Sequence, residues 1–104
     1  MVRFGIQAPH EQINPTDLLN DVVMMERYGI ERYWSSDHYM PWRHTGHHVA
    51  RPWLGAALAK TDRIVVGTGI TAPILRYNPA IVAPVFATLW IYVPRQSLSW
   101  AWKR

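Results

Sequence analysis

Residues 63–89 read RIVVGTGITAPILRYNPAIVAPVFATL, and the signals inside this stretch decide the fold. RIVVGTGI (Arg63–Ile70) is a β-branched run that reads as a strand. Asn78-Pro79 then marks a helix start: the asparagine oxygen can take a free N–H of the first turn, and the proline ring is preset to helical φ. AIVAPVFATL (Ala80–Leu89) reads as the helix that follows. Pro84 conflicts with it, because a proline about six residues into a helix loses a hydrogen bond and clashes, at a cost of ~3 kcal/mol.

Upstream the same device recurs. VRFGIQA (Val2–Ala8) alternates as a strand does, and Asn14-Pro15 opens a helix whose stripe is Leu18, Leu19, Val22, Val23 and Met25. Gly29, after Tyr28, is its expected stop. ERYWSS (Glu31–Ser36) reads as a second strand and WLGAALAK (Trp53–Lys60) as a second helix. The alternation predicts three parallel strands near Arg3–Ala8, Arg32–Ser36 and Ile64–Gly69, adjacent in the order 1-2-3 with right-handed helical crossovers. Two α/β architectures share that pattern. One is a small doubly wound sheet; the other is the first three units of a (β/α)8 TIM barrel, which needs about 250 residues.

The chain has 104 residues, which suits one small domain or part of a larger one. No apolar run approaches the ~20 residues that span a bilayer, so no membrane partner is expected. The opening MVRFGIQAPHEQ has no signal-peptide core, and cysteine is absent, so a cytoplasmic protein without disulfide or thiolate chemistry is expected. The net charge of +4 would suit nucleic acid, but its distribution does not. Met1–Leu89 carries eight Lys/Arg against seven Asp/Glu, and the remaining positive charges are Arg95, Lys103 and Arg104. The basicity belongs to the tail, and no nucleic-acid partner is expected.

The loop after the second strand is the expected chemical centre. Asp37-His38 stands at the carboxyl end of a predicted parallel strand, the edge at which such sheets and barrels face their ligands. A carboxylate beside an imidazole there can orient and charge it for proton transfer, although many such pairs are structural. Trp42 follows beside Pro41, as a stacking platform or a lid over the core. His44, His47 and His48 could ligate a metal by spacing, but no Cys or nearby carboxylate completes a site, and no metal is expected. GTGITA (Gly67–Ala72) matches the dinucleotide fingerprint letter for letter. Pro73 stands where its helix should already run, so a backbone turn allowed by Gly69 is the expected use.

SSDHYMPWRHTG, IVVGTGITAPILRYNPAIVA and VFATL together resemble the glucose-6-phosphate-dehydrogenase-like group of coenzyme F-420-dependent oxidoreductases, in the luciferase-like monooxygenase superfamily. The resemblance runs from about Arg3 to Leu89 and implies the barrel. Residues 1–89 are then a partial luciferase-like TIM-barrel domain of three βα units, and 90–104 an irregular tail. The resemblance further implies that Asp37 hydrogen-bonds the deazaflavin and that His38 acts on the substrate hydroxyl. It implies that Trp42 packs at the reacting face and that Gly69-Ile70 forms a backbone bulge against the deazaflavin ring. A family position that is often threonine is Ala72 here, which predicts a missing contact. The implied substrate is a small alcohol or sugar phosphate giving a hydride to the deazaflavin while a base takes the hydroxyl proton. An FMN-dependent luciferase-like monooxygenase is the alternative within chemistry, and a non-catalytic interaction protein with a Trp-rich basic tail the alternative outside it. The resemblance leaves a homodimer open for the full-length family.

The tail WIYVPRQSLSWAWKR (Trp90–Arg104) carries three of the chain's six tryptophans. Tryptophan has the single codon TGG, and one base later it reads GGN, always glycine. Trp90, Trp100 and Trp102 thus become glycine, and Trp100-Ala101-Trp102 becomes Gly-x-Gly, the spacing of the family's fourth strand. Pro94–Arg104 can be encoded so that the shifted frame reads Pro-Gly-Arg-Val-Phe-Leu-Gly-Leu-Gly-Ser-Gly, which resembles that strand. The expectation is an out-of-frame tail on an N-terminal fragment, inactive alone and lacking the glutamate that follows that strand in the family.

Overall fold

The computed structural model describes residues 2–38, 50–92 and 98–102. Asn14 opens helix α1 (Pro15–Arg27) as its sequence predicts, its Oδ1 accepting from the Thr16 N–H at 2.8 Å. The helix ends in a Schellman turn. Ile30 N–H donates back to the Met25 carbonyl and Gly29 N–H to that of Glu26, with Gly29 at φ 82°, a conformation costly for any residue with a side chain. Helix α2 spans Ala50–Lys60. Past the short helix α3 (Pro73–Arg76), Asn78 caps α4 (Pro79–Tyr92), its Oδ1 accepting from the Ala80 N–H at 2.9 Å. Pro84 lies inside α4 without interrupting it, on the exposed side, where water can take the carbonyl that lacks a donor.

Strands β1 (Gly5–Ala8), β2 (Arg32–Ser35) and β3 (Val65–Thr71) are parallel and adjacent in chain order, as expected. In register, Ile6, Tyr33 and Val66 stand side by side, as do Ala8, Ser35 and Thr68. This is the face the helices cover. Leu18 and Val22 of α1, Trp53, Leu54, Ala57 and Leu58 of α2, and Val82 and Phe86 of α4 join Ala8, Tyr33 and Val66 in one buried cluster. Trp53 ties the layers together: its ring stacks on Tyr33 with centroids 5.8 Å apart, and its Nε1 donates to the Pro15 carbonyl at 3.0 Å. Gly5, Gln7 and Trp34 alternate onto the opposite face and keep part or all of their exposure.

The tail departs from expectation. Leu98–Trp102 is not irregular but forms a fourth strand, β4, parallel to β3. Leu98, Trp100 and Trp102 alternate with Ser99 and Ala101, a period-two pattern that the density of tryptophan obscures. The open edge of β3 supplies backbone groups that need partners. The sheet order is therefore β1-β2-β3-β4, with no reversal. A doubly wound sheet reverses direction at a switch point, whereas an arc of a barrel does not. No helix among the described residues is long and apolar enough to cross a membrane.

At the amino ends of the strands one carboxylate of α1 holds the segment that leads into β3. Glu26, in the last turn of α1, accepts from the backbone N–H groups of Asp62 (3.0 Å), Arg63 and Ile64 (2.8 Å), just before β3. Burial acts to raise the Glu26 pKa, but those backbone donors and the Arg63 charge together outweigh it and hold the carboxyl below its ordinary value.

Candidate functional site

The carboxyl ends of β1, β2 and β3 each run into a polar residue, and two contacts join these residues across the edge. Asp37, two residues beyond β2, is buried at 5% exposure. Its Oδ2 accepts from Thr71 Oγ1 at 2.8 Å, and Tyr77 OH reaches its Oδ1 at 3.5 Å. Thr71 is the last residue of β3, and Tyr77 lies between α3 and α4. The Tyr77 ring is capped by the Arg51 guanidinium from the first turn of α2, 3.7 Å from its centroid. A buried carboxylate needs donors of this kind, since leaving it without them costs more than a typical hydrogen bond returns.

His38 turns the other way, toward the loop after β1. Its Nδ1 lies 2.6 Å from Glu11 Oε1. A carboxylate at this distance can orient an imidazole ring. His10, next in the chain to Glu11, is inward and fully buried, with Nε2 2.8 Å from Ser35 Oγ and its ring edge-on to Trp53 at 4.6 Å.

The third component is backbone. The β3–β4 ladder slips between Thr68, opposite Trp100, and Thr71, opposite Trp102, so three steps of β3 match two of β4. The Gly69–Ile70 peptide bond inside this bulge is cis. Glycine suits position 69 because a Cβ there would sit 3.3 Å from the Cβ of Trp34, which lies under the bulge. Ile70 stays 44% exposed at the edge.

Asp37, His38 and Gly69-Ile70 thus share the carboxyl edge of the sheet. Trp42, His44, His47 and His48 lie outside the described residues. Gly67 and Gly69 fall within β3, which continues to Thr71, and α4 begins only at Pro79, so the glycine pattern does not open a helix. Sequence reasoning missed Glu11, Thr71, Tyr77 and Arg51. Glu11 was findable by the rule that located Asp37, since it follows β1 by three residues. Thr71 was passed over for its neighbour Ala72, although it is Thr71 whose hydroxyl meets Asp37.

Strand order defines the class: an arc of a parallel α/β barrel, with Asp37 and His38 just beyond the carboxyl end of β2. The chain belongs to the luciferase-like monooxygenase family, whose profile matches residues 1–94. It is 49% identical over 96 residues to the F-420-dependent glucose-6-phosphate dehydrogenase of Beutenbergia cavernae, covering 90% of this chain and 29% of that protein. It is 44% identical over 95 residues to the protein of the same name from Microbacterium testaceum, covering 89% of this chain and 28% of that one. Among solved structures it superposes on an F-420-dependent secondary alcohol dehydrogenase in complex with an F-420–acetone adduct, with a TM-score of 0.88 and 40% identity, covering 96% of this chain and 31% of that one. The coenzyme F-420-dependent tetrahydromethanopterin reductase of Methanopyrus kandleri matches with a TM-score of 0.77 and 31% identity, covering 97% of this chain and 26% of that one. The chain thus spans less than a third of these relatives and matches the N-terminal part of their barrels.

Proposed function

We propose that this chain is the cofactor-facing N-terminal part of an oxidoreductase that moves a hydride from the carbon of an alcohol or sugar phosphate to coenzyme F-420. The observation that carries the reading is the buried Asp37 carboxylate, fixed by Thr71 beside the Gly69–Ile70 bulge, in a chain similar to F-420-dependent dehydrogenases. The residues present fit one side of a planar ring. Asp37 offers a carboxylate fixed by Thr71, and Ile70, 44% exposed in the bulge, offers an apolar surface at the same edge. When bound there, the deazaflavin supplies the two-electron acceptor.

The chain's own residues supply proton chemistry and position. His38, with Nδ1 directed at Glu11, takes the hydroxyl proton at Nε2 as the carbon loses its hydride, and the Glu11 carboxylate balances the charge that develops on the ring. Thr71 and Tyr77 keep Asp37 in one rotamer, so its oxygens meet the cofactor without reorganising. The family resemblance assigns Trp42 to the reacting face of the substrate.

We further propose that the chain alone is inactive and that residues 90–104 are an out-of-frame reading of the family's fourth strand. An arc of four strands encloses a ligand on one side only, and the orientation worth many kcal/mol in a closed site is forfeited. The test is to express this chain beside a version with the frame restored after Leu89 and continued to barrel length. Coenzyme binding is followed by deazaflavin fluorescence, and turnover by absorbance with glucose-6-phosphate and with a secondary alcohol. The longer protein is expected to bind and reduce the coenzyme, with Asp37→Asn weakening binding and His38→Ala abolishing turnover. Equal turnover by the short chain overturns the fragment reading, and failure of the longer protein to bind F-420 overturns the cofactor.

A further inference from the structure

Arg51 stands where a cation is ill placed. It lies in the first turn of α2, which carries no acidic residue there, and the amino end of a helix dipole is positive. The residue is partly withdrawn from water, and its Nη1 is buried with no hydrogen-bond partner among the described residues. It forms no ion pair among them either. Charged side chains withdrawn from water are ordinarily paired. Arg51 has instead the face of Tyr77, with its guanidinium carbon 3.7 Å from the ring centroid.

Tyr77 leads to the candidate site. Its hydroxyl donates to Asp37 Oδ1 at 3.5 Å, while that of Thr71 donates to Oδ2 at 2.8 Å. The two contacts are unequal: the Thr71 bond has ordinary length, whereas 3.5 Å is long for an O–H donor. A long hydrogen bond is chiefly electrostatic, so it responds to the charge on its donor. A cation over the ring draws electron density from the phenol and makes its O–H a stronger donor. Linked polar groups out of water polarise one another in this way. The positive charge of Arg51 and the buried negative charge of Asp37 are thus joined through one phenol.

We infer that Arg51 is a positioning residue for Asp37, acting through Tyr77. This rests on the reading of Asp37 as the carboxylate that meets the coenzyme. The relay ties that carboxylate to α2, so that α2, the segment between α3 and α4, and β3 hold it together. It also accounts for a cation at the positive end of a helix, and for a guanidinium that has an aromatic face in place of a carboxylate. Lysine at position 51 would keep a charge over the ring; glutamine would be polar but neutral.

The test has two arms. In the 104-residue chain, the Asp37 carboxyl carbon, assigned by its loss in Asp37→Asn, is followed by NMR at neutral pH. Arg51→Gln is expected to shift that resonance, and Arg51→Lys to leave it close to its original position. Tyr77→Phe removes the hydroxyl, and on that background Arg51→Gln is expected to move the resonance no further. Dispersed amide spectra confirm folding, and Arg51→Met repeats the comparison with a second neutral side chain. A resonance that ignores both neutral variants, or that moves as far on the Tyr77→Phe background as without it, overturns the proposal. In the frame-restored protein, Arg51→Gln is expected to raise the KM for the coenzyme about threefold or more with kcat little changed, and Arg51→Lys to restore most of that loss. Equal losses with lysine and glutamine also overturn it. Failure of the unsubstituted longer protein to bind F-420 removes the cofactor reading instead, and the carboxyl resonance of the short chain still decides the relay.

Discussion

Thr71 Oγ1 donates to Asp37 Oδ2 at 2.8 Å, so the last residue of β3 fixes the carboxylate that follows β2, and both side chains are buried. Replacing Thr71 with valine keeps the shape and removes the donor. We expect Thr71→Val to cost about 1–3 kcal/mol, the range for stranding one partner of a buried charged hydrogen bond, and Thr71→Ser to cost less. Urea denaturation followed by far-ultraviolet circular dichroism checks this. Equal stability of the valine variant would show that Asp37 does not need this donor.

Pro84 sits inside α4 and is exposed, so its side chain contributes little that alanine or glutamine would lose. Pro84→Ala restores the missing backbone donor and is expected to stabilise the chain, by up to ~3 kcal/mol. A higher urea midpoint at unchanged slope is the expected reading. A lower midpoint would mean that α4 depends on the proline.

Glu26 governs the acid limb. Its folded pKa lies below its ordinary value of 4.5, because backbone donors and Arg63 together outweigh the opposing effect of burial. A depressed carboxyl contributes stability that is fully present above the unfolded pKa and is lost as pH falls through the folded one. Stability should therefore decline as pH drops below about 4.5, and Glu26→Gln should flatten that decline while lowering stability at pH 7. The pH dependence of the urea midpoint for both proteins decides it; parallel curves would sink the assignment.

Tyr33 governs the alkaline limb. Burial first, and the Asp21 charge second, push its phenol from 10.0 up to about 12. The folded state thus keeps the proton longer than the unfolded chain, so stability is complete below the unfolded value and falls as pH rises between 10.0 and about 12. Tyr33→Phe keeps the ring that stacks on Trp53 and should remove this part of the alkaline loss. Tyrosinate absorbance at alkaline pH, compared between the chain and Tyr33→Phe, reports the titration directly, and a Tyr33 that ionises near 10.0 would contradict it.

The strands, the Asn-Pro helix starts and the Gly29 stop were legible because each rests on a local rule that a few adjacent residues satisfy. The polar edge was half legible. Asp37 and His38 are neighbours in the chain, but their partners are not: Thr71 and Tyr77 reach Asp37 from 34 and 40 residues away. Such pairings depend on register, and β3's register depends on a bulge that no composition announces. Glu26 was hidden for the same reason, since its partners are backbone N–H groups with no sequence signature. The tail was misjudged because tryptophan content drew attention away from the alternation beneath it.

The order β1-β2-β3-β4 has a consequence for synthesis on the ribosome. Each strand pairs with the one made immediately before it, so its docking edge has already been produced when it emerges. The nascent chain can zip from its amino end, burying each helix against a sheet that is already there, without waiting for distant sequence. At every stage of synthesis the emerging chain can thus form an organised arc whose growing margin is the strand made last.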